Sequence, residues 1–207
     1  MTALGEELAL VLDHLRTGGR PVALVGGLAV SARCEPRLTR DADLAVSVDG
    51  DAQAETLLTE LRRAGYHIVA VVEHAPSGRL ATARVSRSGP DEGIVTDLLF
   101  ASTGIEPEIV AAAEPLEILR GLEVPVARVG HLIAMKALAR EDRLRPNDAD
   151  DLRNLAVAAT TQEWDRAAMA ASLISERGFD RGRDLGKAIA ELRAEQEVAP
   201  SPTDGPD

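Results

Sequence analysis

The chain has 207 residues, enough for one domain or for one domain with a helical appendage. It is 45% apolar, which excludes a compositionally disordered chain, and its net charge of −11 excludes a generally basic nucleic-acid binder. Aromatic residues make up only 2% of it (Tyr66, Phe100, Trp164 and Phe179), so a base-stacking platform of several rings is excluded as well.

Apolar residues at helical spacing predict a helix over residues 5–17, with Leu8, Leu10, Val11 and Leu15 near one side and Gly18-Gly19 as its stop. Pro21 to Val25 is a short apolar run closed by Gly26-Gly27 and reads as a buried strand. Leu28 to Cys34 reads as a short helix. Ala42 to Val48 reads as a second strand, ended by Asp49-Gly50. Residues 51–64 form a helix pattern with Ala54, Leu57, Leu58 and Leu61 together. Strand patterns follow at Tyr66–Glu73, Arg79–Arg87 and Gly93–Phe100, with turn signals between them. A short helix and one or two short strands fill 105–128.

From Val129 onward the pattern is helical, at 129–141, 147–159, 161–176 and 180–195, broken by Pro146 and Gly178. The expected organisation is a mixed α/β core over 1–128, a helical region over 129–195 and a disordered tail over 196–207. The N-terminus is acidic and does not read as a signal peptide. Cys34, the one cysteine, permits no intramolecular disulfide and fits a reducing cytoplasm. No apolar run approaches the roughly 20 residues that span a bilayer.

Three segments carry chemistry when taken together. In the first, a strand-to-helix turn at Gly26-Gly27 lets backbone N–H groups approach a phosphate, with the helix dipole behind them. Shortly after it, Asp41 and Asp43 lie two apart on a strand pattern, so their carboxylates share a face, and Arg37 and Thr39 have the same parity. Two such carboxylates repel unless a cation lies between them, and Mg²⁺ suits this donor set. In the second segment Asp97 interrupts the apolar run Ile94–Phe100, where a lone buried charge is costly, which suggests a third metal ligand or a general base. In the third, Lys136 interrupts an apolar helix pattern and shares a face with Ala139 and Arg143, a good place for an ammonium that neutralises triphosphate oxygens. Asp148, Asp150 and Asp151 open the next helix. Each piece has a plainer reading when taken alone: a tight turn, a solvated strand end, a snorkelling lysine, a set of helix caps.

Jointly, the order Gly26-Gly27, Arg37-x-Thr39-x-Asp41-x-Asp43, Asp97, Lys136-x-x-Ala139-x-x-x-Arg143 and Asp148-x-x-Asp151-Leu152-x-x-Leu155 resembles the AbiEii-like nucleotidyltransferase toxins, including the MenT group, over roughly residues 20–160. The resemblance implies an α+β fold, with a polymerase-β-like nucleotidyltransferase core followed by a C-terminal helical bundle. It implies Mg²⁺ (or Mn²⁺) at Asp41 and Asp43, nucleotide phosphates at Lys136 and a functional acid at Asp151. It further implies a cognate antitoxin, and transfer of a nucleotide from an NTP onto a tRNA acceptor end. Gly27 stands where many nucleotidyltransferases carry Ser.

On this reading Asp97 completes the metal site, and Gly26, Gly27, Thr39 and Arg143 join Lys136 at the nucleotide. A positive funnel from Arg33, Arg37 and Arg40 and from Arg140, Arg143 and Arg145 would receive an RNA end. Two other readings use the same residues. One is a small-molecule nucleotidyltransferase of the aminoglycoside-modifying kind, whose acidic pocket would accept a cation. The other is a catalytically dead nucleotide-binding module, against which the retention of Asp41, Asp43, Asp97 and Lys136 argues.

Overall fold

A computed structural model of the chain describes residues 2–34, 39, 41–89, 94–139 and 146–198, with Pro146 and Asn147 described by their backbone alone. The element order is α1 (Ala3–Thr17), β1 (Val22–Val25), α2 (Gly26–Arg33), β2 (Ala42–Val46), α3 (Asp51–Arg63), β3 (His67–His74), β4 (Arg79–Ser86), β5 (Thr96–Leu99), α4 (Glu106–Ala111), β6 (Glu114–Leu119), β7 (Leu122–Val126), α5 (Val129–Ala139), α6 (Pro146–Ala158), α7 (Thr161–Glu176) and α8 (Leu185–Val198).

The strands form one mixed sheet in the order β3-β4-β5-β2-β1-β7-β6. All four residues of β1, Val-Ala-Leu-Val, are buried, as a strand covered on both faces requires. It runs antiparallel to β2 and parallel to β7, and β2 runs parallel to β5. α2 and α4 pack against β1 and β2, while α3 packs against β3 and β4. α5 to α8 pack on one another, and α2 touches both α5 and α6, which joins the sheet to the helical part. The mixed α/β core followed by helices is the architecture that the periodicities predict.

Local differences have local causes. In α1 Leu8, Val11 and Leu15 are buried but Leu10 is exposed, because it lies off the apolar stripe. α2 begins at Gly26, not at Leu28, so the two glycines form the first turn of the helix. β5 is shorter than the apolar run that suggests it. α8 starts at Leu185, because the chain between Gly178 and Gly182 turns with positive φ at Gly178, Arg181 and Gly182. α8 continues through Val198, so Gln196 to Val198 are helical; the rest of the expected tail, residues 199–207, lies outside the described residues.

Candidate active site

The sheet register sets one row of side chains across four strands. Val25 pairs with Asp43, Asp43 with Asp97 and Asp97 with Arg84. Cross-strand partners point to the same face, about 5 Å apart at Cβ, so Asp43, Asp97 and Arg84 stand side by side. Asp41 lies just before β2 and is exposed.

Asp43 faces the start of α2. Gly26 has φ +65°, and a Cβ placed on it would lie 1.8 Å from Asp43 Oδ2. The position therefore demands glycine twice over, for its backbone angle and for the space its missing side chain leaves to the carboxylate. The N-cap residue of α2, Val25, contributes no side-chain hydrogen bond, so the first-turn N–H groups are free of a capping side chain. Gly26, Gly27, Asp43, Lys136, Ala139 and Asp148 line a cavity of about 150 Å³.

Burial raises the pKa of Asp43 to about 6, with the neighbouring charges of Asp97 and Asp41 adding to the rise and Lys136 and Arg84 opposing it. A carboxylate whose ionised form is held at a disadvantage by burial and by like charges is one that a divalent cation would relieve. Among the described residues no three His, Cys, Asp or Glu side chains are grouped to hold a metal ion. Two carboxylates with substrate and water oxygens make a chemically suitable Mg²⁺ set without a third, so Asp41 and Asp43 fit such an ion.

Asp97 is held by Arg84 through a two-pronged pair, with Arg84 Nε donating to Oδ1 at 2.8 Å and Nη2 donating to Oδ2 at 2.7 Å. These hydrogen bonds push the Arg84 guanidinium above its usual pKa. Lys136 is not the isolated cation that its apolar helix suggests. Its Nζ lies 2.7 Å from both Asp148 Oδ1 and Asp151 Oδ2, and the three side chains are almost wholly buried. Asp148 and Asp151 are three apart on α6 and so reach the same point. Asp151, the expected functional acid, is 1% exposed and meets the site through Lys136. Asp150, between them, is exposed and pairs with Arg153.

The structure thus brings together Gly26, Gly27, Asp41, Asp43, Asp97 and Lys136. Thr39 is half-buried and lies in no helix or strand. Arg37, Arg40, Arg140, Arg143 and Arg145 lie outside the described residues. Arg33, expected in the funnel, serves the fold: it donates to the carbonyls of Val126 and Ala127, each at 3.0 Å, and pairs with Glu114 at 2.9 Å. It thereby ties the end of α2 to β6 and β7. Sequence reasoning missed Arg84, and it placed Asp148 in the motif without giving it a role at the site. The signal for Arg84 was its place in β4 one strand away from Asp97, which becomes visible once the β4–β5 register is known.

The start of α5 is closed by a carboxylate from another helix. Glu163 of α7 accepts from the Gly130 N–H at 2.7 Å and from Arg128 Nε at 2.8 Å, and it lies 3.4 Å from Arg166 Nε. Arg128 also pairs with Glu114. α5 and α7 meet so closely that a Cβ on Gly130 would lie 2.3 Å from the Glu163 carbonyl oxygen.

A family model described as nucleotidyl transferase AbiEii toxin, Type IV TA system, matches residues 11–204. Among curated proteins, none matches the chain. Of solved structures, an antigenic nucleotidyltransferase-like protein from Paracoccidioides brasiliensis aligns with a TM-score of 0.52 at 17% identity, over 91% of this chain and 92% of that one. The lincosamide antibiotic adenylyltransferase LnuA, lincomycin-bound, aligns at 0.48 with 13% identity, over 74% of this chain and 97% of that one. The antibiotic-resistance factor ANT(2'')-Ia aligns at 0.46 with 18% identity, over 92% of each chain. At these identities the first likeness speaks for the fold alone.

Proposed function

The chain belongs to the AbiEii nucleotidyl transferase toxin family and is a nucleotidyltransferase; we propose that it transfers an NMP from an NTP to an RNA acceptor, the 3′ end of a tRNA, in the cytoplasm, and that a cognate antitoxin protein is its partner. No described helix is long and apolar enough to cross a membrane. The observation that carries the reading is the placement of Asp43 against the side-chain-free Gly26 at the opening of α2, beside Asp41 and Asp97. That arrangement sets hard carboxylate ligands next to helix N–H groups that no N-cap side chain covers, which suits a metal–triphosphate.

On this reading Asp41 and Asp43 would hold Mg²⁺ or Mn²⁺, which when bound neutralises triphosphate charge and makes the α-phosphorus a better electrophile. Gly26 and Gly27 leave room for phosphate oxygens at the N–H groups of α2. Lys136 also lines the cavity and would offer its ammonium to a phosphate oxygen, with Asp148 and Asp151 fixing its direction. Asp97 lies next to Asp43, within the same row, and serves the attacking hydroxyl or the metal site. Arg143 and Thr39 would meet the nucleotide, and Arg37, Arg40 and Arg140 the acceptor. Catalysis is then chiefly alignment and charge neutralisation, as in phosphoryl transfer generally.

The test is incubation of the protein with each α-labelled NTP and Mg²⁺, offering tRNA, total RNA or a panel of aminoglycosides. Label on the tRNA 3′ end supports the proposal. Label on a cationic drug and none on RNA overturns the acceptor while leaving the chemistry standing, and no label on any acceptor sinks the reaction.

A further inference from the structure

We propose that Arg84 takes the place of a second metal ion, so that the site works with a single divalent cation on Asp41 and Asp43. The inference rests on the nucleotidyltransfer reading above and deepens it.

The three carboxylates of the site are not equivalent. Asp41 is exposed, and Asp43 faces the cavity at the start of α2. Asp97, 16% exposed, is flanked by its strand neighbours, and both its oxygens are gripped by the planar fork of Arg84. A bidentate guanidinium–carboxylate pair is short, directional and rigid, unlike a lysine contact. To bind Asp97 at those lone pairs, an ion would have to displace a guanidinium whose position is fixed by the strand register itself, because Arg84 and Asp97 are Cα partners across β4 and β5.

The charge balance agrees. Among the side chains, Asp41, Asp43 and Asp97 against Arg84 leave two negative charges, the charge that one divalent cation carries, and Arg84 already neutralises Asp97. Lys136 is engaged separately by Asp148 and Asp151, a trio with one negative charge in excess, and does not pair with Asp97. Arg84 also keeps a donor in reserve. Nε and Nη2 hold Asp97, Nη1 has no hydrogen-bond partner among the described residues, and the side chain is 43% exposed. Nη1 can meet a phosphate oxygen of the nucleotide, the contact a second cation would otherwise make.

The test counts metal ions without reading activity. Mn²⁺ is titrated by calorimetry and by paramagnetic resonance against the full chain, saturated with each of the four α,β-methylene NTP analogues in turn. Wild type should take about one Mn²⁺ per nucleotide-bound chain. Arg84→Gln should take about two, the second on the released Asp97, and Arg84→Gln combined with Asp97→Asn should return to about one. Asp97→Asn alone, which keeps the shape of the strand, should stay at one and serves as the check should Arg84→Gln fold poorly. Two ions on wild type, or one on a well-folded Arg84→Gln, overturns the inference alone. No Mn²⁺ on wild type with any analogue overturns the metal-dependent reading of the site as well.

Discussion

Gly26 and Asp43 share one space: a methyl group on the first would lie 1.8 Å from a carboxylate oxygen of the second. The site is therefore built around an atom that is missing. Gly26→Ala is expected to lose activity and to lower stability by at least about 1–2 kcal/mol, the cost of a left-handed alanine before any clash is counted. Urea melts together with nucleotide transfer check it. A variant as stable and as active as wild type would show that Asp43 moves aside freely.

Asp41 and Asp43 should respond differently to loss of charge. Asp41 is exposed, so Asp41→Ala should abolish transfer with little change in melting temperature. Asp43 carries a folded-state pKa near 6, above its ordinary 3.8. The folded chain holds that proton more tightly, so the cost of ionisation appears as pH rises through this window. In EDTA at pH 7.5, Asp43→Asn should thus be more stable than wild type by about 2 kcal/mol, allowing for partial exposure. Added Mg²⁺ should raise the melting temperature of wild type and leave the variant unmoved. Equal Mg²⁺ shifts in both would remove Asp43 from the metal site.

Lys136 should matter to folding as much as to catalysis. Lys136→Ala leaves Asp148 and Asp151 buried without their shared cation, a loss of about 3–5 kcal/mol. Adding Asp148→Asn should recover part of that stability and none of the activity. Denaturant midpoints of the single and double variants decide it; a Lys136→Ala protein of wild-type stability would mean that the triad is not held together in solution.

His131 predicts an acid-sensitive step. Burial pushes its pKa from 6.5 down to about 4, with the Arg166 charge acting in the same direction and Glu163 and Glu108 opposing them. The unfolded chain binds that proton more readily, so this contribution is complete above about pH 6.5 and is lost as pH falls toward 4. At pH 5 the loss should be about 2 kcal/mol. Comparing urea midpoints at pH 7 and pH 5 for wild type and His131→Leu isolates it, since the leucine variant should show a smaller difference. An unchanged difference would assign the slope to other groups.

The sequence made the element order legible because β1, α3 and α7 each bury a face at a clean period. Gly26-Gly27 and the Asp41–Asp43 pair were legible because unusual residue types sat at informative spacings. What it hid was pairing. Nothing in one dimension says that Arg84 opposes Asp97, that Lys136 is bound by two aspartates ten residues and more away, or that Arg33 is occupied with Glu114 and two carbonyls. Those facts belong to register and helix packing, which patterning constrains to a face but not to a partner. Of the arginines expected to form a positive funnel, Arg33 alone lies among the described residues, and a cluster in the sequence cannot show that its guanidinium is already taken.

The Glu163 junction has a consequence for inheritance and engineering. One carboxylate on α7 closes the open end of α5, holds Arg128 at the edge of the sheet and sits against Arg166, while Gly130 lets the two helices touch. A chimera that joined this sheet to the helices of a distant homologue would need Arg128, Gly130 and Glu163 to arrive as a set. The seam between the two halves is therefore a poor place for recombination, and shuffled genes should survive there only when all three residues come from a single parent.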